Sequence, residues 1–274
     1  MRRGIGIHPT EVPRLTSLLQ LNELPASLRD PLYARLIPPL LFTELGLNPV
    51  TLDGPRDGAP IRIVAPEGKP WARVELWRQR DDRDPLFLLE VEMTLFGVLE
   101  LTFVQICDPA SERFAIDWDA EGHDTLFGTA TRNLPEEIRA MAAGLAPGQV
   151  RQGRRLLGKV LQAVEEFSRL LGKDVYLVEP LFYHSAILYE RHGLGYLLGR
   201  EKMEEIHQEF QPGGRLDRRL DGSTPFRMRG AARTIRGRSW AIHDGILGEP
   251  WGGIKMYRLV GGKAGVDTFP GGAY

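Results

Sequence analysis

Leu156, Leu157, Val160, Leu161, Val164, Phe167, Leu170 and Leu171 recur at the spacing of one helix face, while Arg154, Arg155, Lys159, Gln162, Glu165, Glu166 and Arg169 fill the opposite one. The pattern predicts an amphipathic helix lying on a sheet. Gly172 is placed to stop that helix with a left-handed residue, and the apolar, β-branched run 175–178 predicts the strand that follows. A short helix and a second strand then complete a unit that ends at Gly199.

Upstream the period changes to two. Runs at 61–64, 71–77, 86–95, 98–106 and 113–118 alternate apolar and polar positions and are separated by turn-rich links such as Asp81-Asp82-Arg83-Asp84-Pro85. They predict an antiparallel meander of five strands. Residues 1–60 form a helical N-terminal extension, because prolines from Pro9 to Pro49 interrupt it and leave helical pieces at 12–21 and 27–45. An acidic turn, Asp117-Trp118-Asp119-Ala120-Glu121-Gly122-His123-Asp124, opens an insertion over 119–147 that contains a helix at 135–145 and is placed to cover a site. Beyond Gly199 the pattern predicts a helix over 201–210. The glycine- and arginine-rich tail, 211–274, then packs back on the core, with strand-like patches at 240–242 and 254–260.

Composition narrows the class. With 274 residues and 42% hydrophobic content, the chain can bury one large core, here the segment 61–210. A single cysteine, Cys107, excludes an internal disulfide framework and fits a reducing cytoplasm. The residues after Arg2 and Arg3 lack the apolar centre of a secretory leader, and no apolar run approaches the roughly 20 residues needed to cross a bilayer. The expectation is a soluble cytoplasmic protein without a membrane partner.

Leu188-Tyr189-Glu190-Arg191-His192-Gly193-Leu194, followed by Gly195-Tyr196-Leu197-Leu198-Gly199, resembles the signature that closes the acetyl-CoA-binding half of the GCN5-related N-acetyltransferases (GNAT superfamily). Gly153-Arg154-Arg155-Leu156-Leu157 is similar to the end of that family's pyrophosphate loop and the start of its central helix. Only Gly153 fits the loop consensus, whose other positions fall on Gly148 and Arg151, while Phe182 and Ser185 stand where the family commonly has asparagine and alanine. The resemblance implies an α+β fold in which the meander precedes a β-α-β-α-β cofactor half. In it, strand 175–178 runs parallel to the last meander strand, 113–118, and splays from it to leave a cleft.

Acyl transfer from a thioester to an amine needs a phosphate cradle, a base and an acid. Gly153 and the first N–H groups of a helix beginning at Arg154 are suited to a pyrophosphate, with Arg151, Gln152, Arg154 and Arg155 around it. The resemblance implies that Tyr189 protonates the departing thiolate of coenzyme A, and a reference pKa of about 10 keeps a tyrosine protonated at neutral pH. Asp117, Asp119 and Glu121 are the candidate bases, with His123 and His184 as alternatives. The acidic turn matches neither a calcium loop nor a zinc pattern, so no metal is expected.

The arginine-rich tail offers charge for a phosphate or carboxylate. Phe226 is the one aromatic between Arg215 and Arg238, the most basic segment of the chain, which argues against nucleic acid. Two readings follow. One is an acyl-CoA-dependent N-acyltransferase, using acetyl-CoA or another acyl-CoA on a small amine; the other is a non-catalytic relative that keeps the fold as a binding module. The sequence leaves the acceptor, the acyl chain and the oligomeric state open, a homo-oligomer included.

Overall fold

The computed structural model describes residues 15–54 and 60–274. The N-terminal residues of the helix expected over 12–21 therefore lie outside the described residues. Its described part is α1 (Leu18–Asn22), where the Ser17 side chain caps the Gln20 N–H. Helices α2 (Ala26–Tyr33) and α3 (Pro39–Leu45) follow, with Pro39 in the first turn of α3 and Gly46 left-handed after its end.

Strands β1 (Ile61–Val64), β2 (Trp71–Leu76), β3 (Phe87–Met93) and β4 (Leu99–Ile106) form the expected antiparallel meander. The fifth strand expected at 113–118 is not one. Phe114 and Ile116 are buried, which produces the alternation, but the backbone bonds elsewhere: Phe114 N–H to Val150 O at 2.8 Å and Ala115 N–H to the Glu136 carboxylate at 2.9 Å. The chain thus leaves the sheet after Ile106, and the insertion contains α4 (Leu134–Ala142), which Asn133 caps.

Helix α5 (Leu157–Leu170) buries Val160, Leu161, Val164 and Phe167 against the sheet, and Phe167 stacks on Tyr33 with ring centroids 5.7 Å apart. Strand β5 (Val175–Val178), helix α6 (Tyr183–Arg191) and strand β6 (Gly195–Leu198) occupy the positions read from the sequence. Helices α7 (Arg200–Glu209) and α8 (Arg215–Arg218) lead to α9 (Ile235–His243). The strand-like patch at 240–242 is therefore helical. Thr234 caps α9 and the buried positions Ile235, Arg238, Ser239 and Ile242 keep helical spacing, but two of them are polar and hid the period.

Strand β7 (Lys255–Leu259) completes a seven-stranded mixed sheet of order β1-β2-β3-β4-β5-β7-β6. It lies between β5 and β6, antiparallel to both, so the tail after residue 210 supplies a strand of the sheet. The parallel partner of β5 is β4, not 113–118. A second, smaller core of Phe114, Ile116, Ala140, Leu145, Val150, Phe226 and Trp240 joins the insertion to the tail. No helix among the described residues is long and apolar enough to cross a membrane.

Candidate functional site

The parallel pairing of β4 with β5 covers Leu99, Glu100 and Leu101, opposite Tyr176, Leu177 and Val178. β4 continues to Ile106 while β5 ends at Val178, so the two strands part. Among the described residues, the β5-side edge of 102–106 has no strand partner, and its peptide groups are available to an extended ligand. A cavity of about 840 Å³ opens there, bounded by this edge, the loop 147–157, the start of α6 and parts of the insertion and tail.

Arg151, Gln152, Gly153, Arg154, Arg155 and Tyr189 all line this cavity. Their roles diverge. Arg151 gives its Nε–H to Asp84 at 2.7 Å and a second donor to the Ser111 carbonyl, so its guanidinium is a strut of the wall. Asp84 also receives Arg113 at 2.9 Å. Burial pushes the Asp84 carboxyl up, but hydrogen bonds from Arg113 and Arg151 outweigh it and hold the group below its usual range.

Gly153 pairs with Cys107 in an isolated antiparallel bridge, and Gln152 accepts the Asp108 N–H at 2.9 Å. This extended pairing, and Arg155 at φ 56, explain why α5 starts at Leu157 instead of Arg154. No side chain caps α5. The first free helical N–H groups are consequently those of Leu157 and Gly158, a turn beyond the expected cradle. Arg154 pairs with Glu44 at 2.9 Å through Nη2, and its Nη1 is buried without a partner. Among the lining residues Glu179 is the one carboxylate, and Lys255 engages it at 3.4 Å. The cavity is electropositive.

Tyr189, on α6, is 7% exposed. Burial pushes its hydroxyl up to about 12, and the hydroxyl bonds to no described residue. Its neighbour Glu190 faces away from the cavity. It accepts the Thr268 N–H at 2.9 Å and the hydroxyls of Tyr196 and Thr268, which fastens the tail to α6.

Asp117 and Asp119 are not among the lining residues. Asp117 is held by Arg113 in a two-pronged pair, Nη1 to Oδ1 at 3.0 Å. Asp119 caps its own turn, accepting the His123 N–H at 2.7 Å and the Glu121 N–H at 3.1 Å; the bond from the His123 backbone is the main reason its carboxyl stays below the ordinary range. His123 is exposed on that turn, also outside the lining. Of the candidate bases only His184 lines the cavity. It is 6% exposed, and burial, then the nearby His243, lower its pKa to about 3, so it is a neutral imidazole. Cys107 also lines the cavity, but burial pushes its thiol up to about 11, which removes it as a nucleophile.

Arg236, which the sequence offered only as one of the arginines of the tail, faces the cavity, and so do Phe103, Phe127 and Tyr274, which sequence reasoning did not single out. Phe103 and Phe127 stack at 5.3 Å between β4 and the insertion. Among the described residues no group of histidine, cysteine and carboxylate side chains could hold a metal ion. No protein-family model matches the chain, and no curated protein or solved structure is significantly similar to it.

Proposed function

We propose that the protein is an acyl-CoA-dependent N-acyltransferase of GNAT type, cytoplasmic, acting on a small amine. The observation that carries this reading is the parting of the parallel strands β4 and β5 into a basic cavity. An unpaired strand edge suits the amide-rich arm of coenzyme A. The unpaired Nη1 of Arg154, with Arg155 and the uncapped start of α5, suits its phosphates.

In the reaction the amine lone pair attacks the thioester carbonyl carbon, and the carbon–sulfur bond breaks with its electrons on sulfur. The nitrogen loses a proton to cleft water, the sulfur gains one, and an amide and free coenzyme A result. Tyr189 serves the sulfur. With its pKa raised to about 12, full proton transfer to a thiolate is uphill, since a thiol has a reference pKa of about 8.5. Its contribution is a persistent hydrogen bond to the leaving sulfur, worth most where charge develops away from water. His184, neutral at physiological pH, can accept a hydrogen bond from the amine without competing for the cationic form.

A second reading, a ligand-binding relative without turnover, is favoured by one observation: no carboxylate base stands free in the cavity. Two measurements separate these readings. Acetyl-CoA at a hundredfold excess over its dissociation constant should stabilise the protein by about 2.7 kcal/mol in either case. Release of free thiol with a panel of amines should occur only for the enzyme. Absence of any stabilisation by acetyl-CoA and longer acyl-CoAs would remove both.

A further inference from the structure

Resting on the acyltransfer reading, the half of the cavity built by the insertion and α9 defines the acceptor. Its central cation is Arg236 on α9. One Nη1 donor goes to the Gly144 carbonyl at the end of the insertion helix, and the guanidinium carbon stands 6.0 Å from the centroid of the Tyr274 ring. Among the described residues no carboxylate pairs with it, whereas Arg151 and Arg154 have Asp84 and Glu44. A guanidinium carries five N–H donors in a planar fork, so the remainder can take a carboxylate in two-pronged fashion.

The same cavity has an aromatic wall. Phe127 reaches the cavity from a bend in which Leu126 and Phe127 both adopt left-handed backbone, at φ 50 and φ 57. Such conformations persist in bulky residues only where the surroundings impose them. Here Asp124 accepts the Leu126 N–H at 2.7 Å, and Thr125 ties the loop to the Ile116 carbonyl at 2.6 Å. The bend aims Phe127 onto Phe103, with Leu145 and Phe182 extending the apolar surface. A cation without a carboxylate partner and a rigid aromatic wall in one cavity suit a ligand that carries both an anion and a ring.

We propose that the acceptor is an aromatic α-amino acid, its carboxylate on Arg236, its side chain against Phe103 and Phe127 and its amino group directed to the thioester. The nitrogen attacks as described above, so the products are an N-acyl amino acid and free coenzyme A.

The test compares L-phenylalanine with phenethylamine, which lacks the carboxylate, by calorimetry on the full chain and then as acceptors with acetyl-CoA. L-Phenylalanine should bind and react at least tenfold better than phenethylamine. Arg236→Gln should weaken L-phenylalanine by roughly 10- to 100-fold, the range for a hydrogen-bonded charge pair, and leave phenethylamine and acetyl-CoA within about twofold. Should that variant not fold, Arg236→Lys and Phe127→Ala carry the same comparison, Phe127→Ala weakening both ligands. Equal affinity for the two ligands, no binding of L-phenylalanine, or an Arg236 variant with parental preference overturns the proposal. L-Phenylalanine binding that depends on Arg236 in a protein that ignores acyl-CoA would instead leave the amino-acid site standing and remove the acyltransfer reading.

Discussion

The His184 Nδ1 lies 2.9 Å from the Ser239 Oγ, which also accepts the His184 backbone N–H at 3.3 Å. One serine on α9 therefore fixes both the ring and the start of α6, the helix that carries Tyr189. This contact joins the tail to the cavity wall. Removing it in Ser239→Ala strands a buried imidazole nitrogen and should cost about 1–3 kcal/mol in denaturant unfolding.

The same histidine sets a pH dependence. Its folded pKa of about 3 lies below the reference value of about 6.5, so the unfolded chain binds a proton that the folded chain refuses. This term leaves stability unaffected above about pH 6.5 and lowers it as pH falls from there towards 3, at up to about 1.4 kcal/mol per pH unit. Unfolding free energies between pH 4 and 7 check this, with the histidine resonance followed by NMR. An imidazole that titrates near 6.5 in the folded protein would show that the ring is open to water.

Asp84 compensates two guanidinium groups at once, Arg113 and Arg151. Asp84→Ala leaves Arg151 without a carboxylate and Arg113 with Asp117 alone, and should cost about 3 kcal/mol, because a partly buried charge loses its partner. The loop 148–153 should loosen with it, seen as faster amide exchange at Gln152. The carboxyl is held below its ordinary range, so its contribution is present above about pH 4 and lost as pH falls through the folded value. A variant of parental stability would mean that water replaces Asp84 at both arginines.

The units legible in the sequence were those whose burial follows one clean period. α5, β5, α6 and β6 lie within a few residues of expectation, because one face of α5 is continuously apolar and Val175–Val178 is bounded by turns. The run 113–118 misled because its alternation serves the smaller core and not a ladder. The place of β7 between β5 and β6 was illegible, since a five-residue strand does not encode which neighbour it pairs with. At the site, arginines were readable as positive charge but their partners were not. Asp84 lies 67 residues before Arg151, and nothing local marks the pair.

Glycine positions in the loop can be sorted by what a side chain would meet. Gly148 has φ 79, and a Cβ there would fall 2.3 Å from the Phe182 ring. Gly148→Ala should therefore destabilise by about 2–4 kcal/mol through backbone strain and overpacking against the cavity wall. Gly153 differs, since its nearest neighbours to a Cβ are Gln149 Nε2 at 3.4 Å and Ile106 O at 3.7 Å. Gly153→Ala should stay within about 0.5 kcal/mol of the parent. Gly153→Asp should fold and lose acyl-CoA affinity at least tenfold, because it adds negative charge where phosphate is expected. Calorimetry and melting curves on the three variants decide the matter, and undiminished binding in Gly153→Asp would move the phosphate site away from this loop.

Tyr189→Phe separates catalysis from packing more sharply than the other substitutions, because the hydroxyl has no hydrogen bond to lose among the described residues. The ring stays in its buried place, so stability should remain within about 0.5 kcal/mol of the parent and acetyl-CoA affinity within about twofold. The hydroxyl acts only when charge reaches sulfur. Turnover should fall by roughly 10²-fold or more with the Michaelis constants little changed, the pattern of an interaction made in the transition state alone. The dependence on leaving group supplies a second check: a thioester of a more acidic thiol needs less help at sulfur, and the gap between parent and variant should narrow with it. A Phe variant with parental turnover, or a gap that ignores the leaving group, would assign Tyr189 to the wall of the cavity and leave the departing thiolate to water.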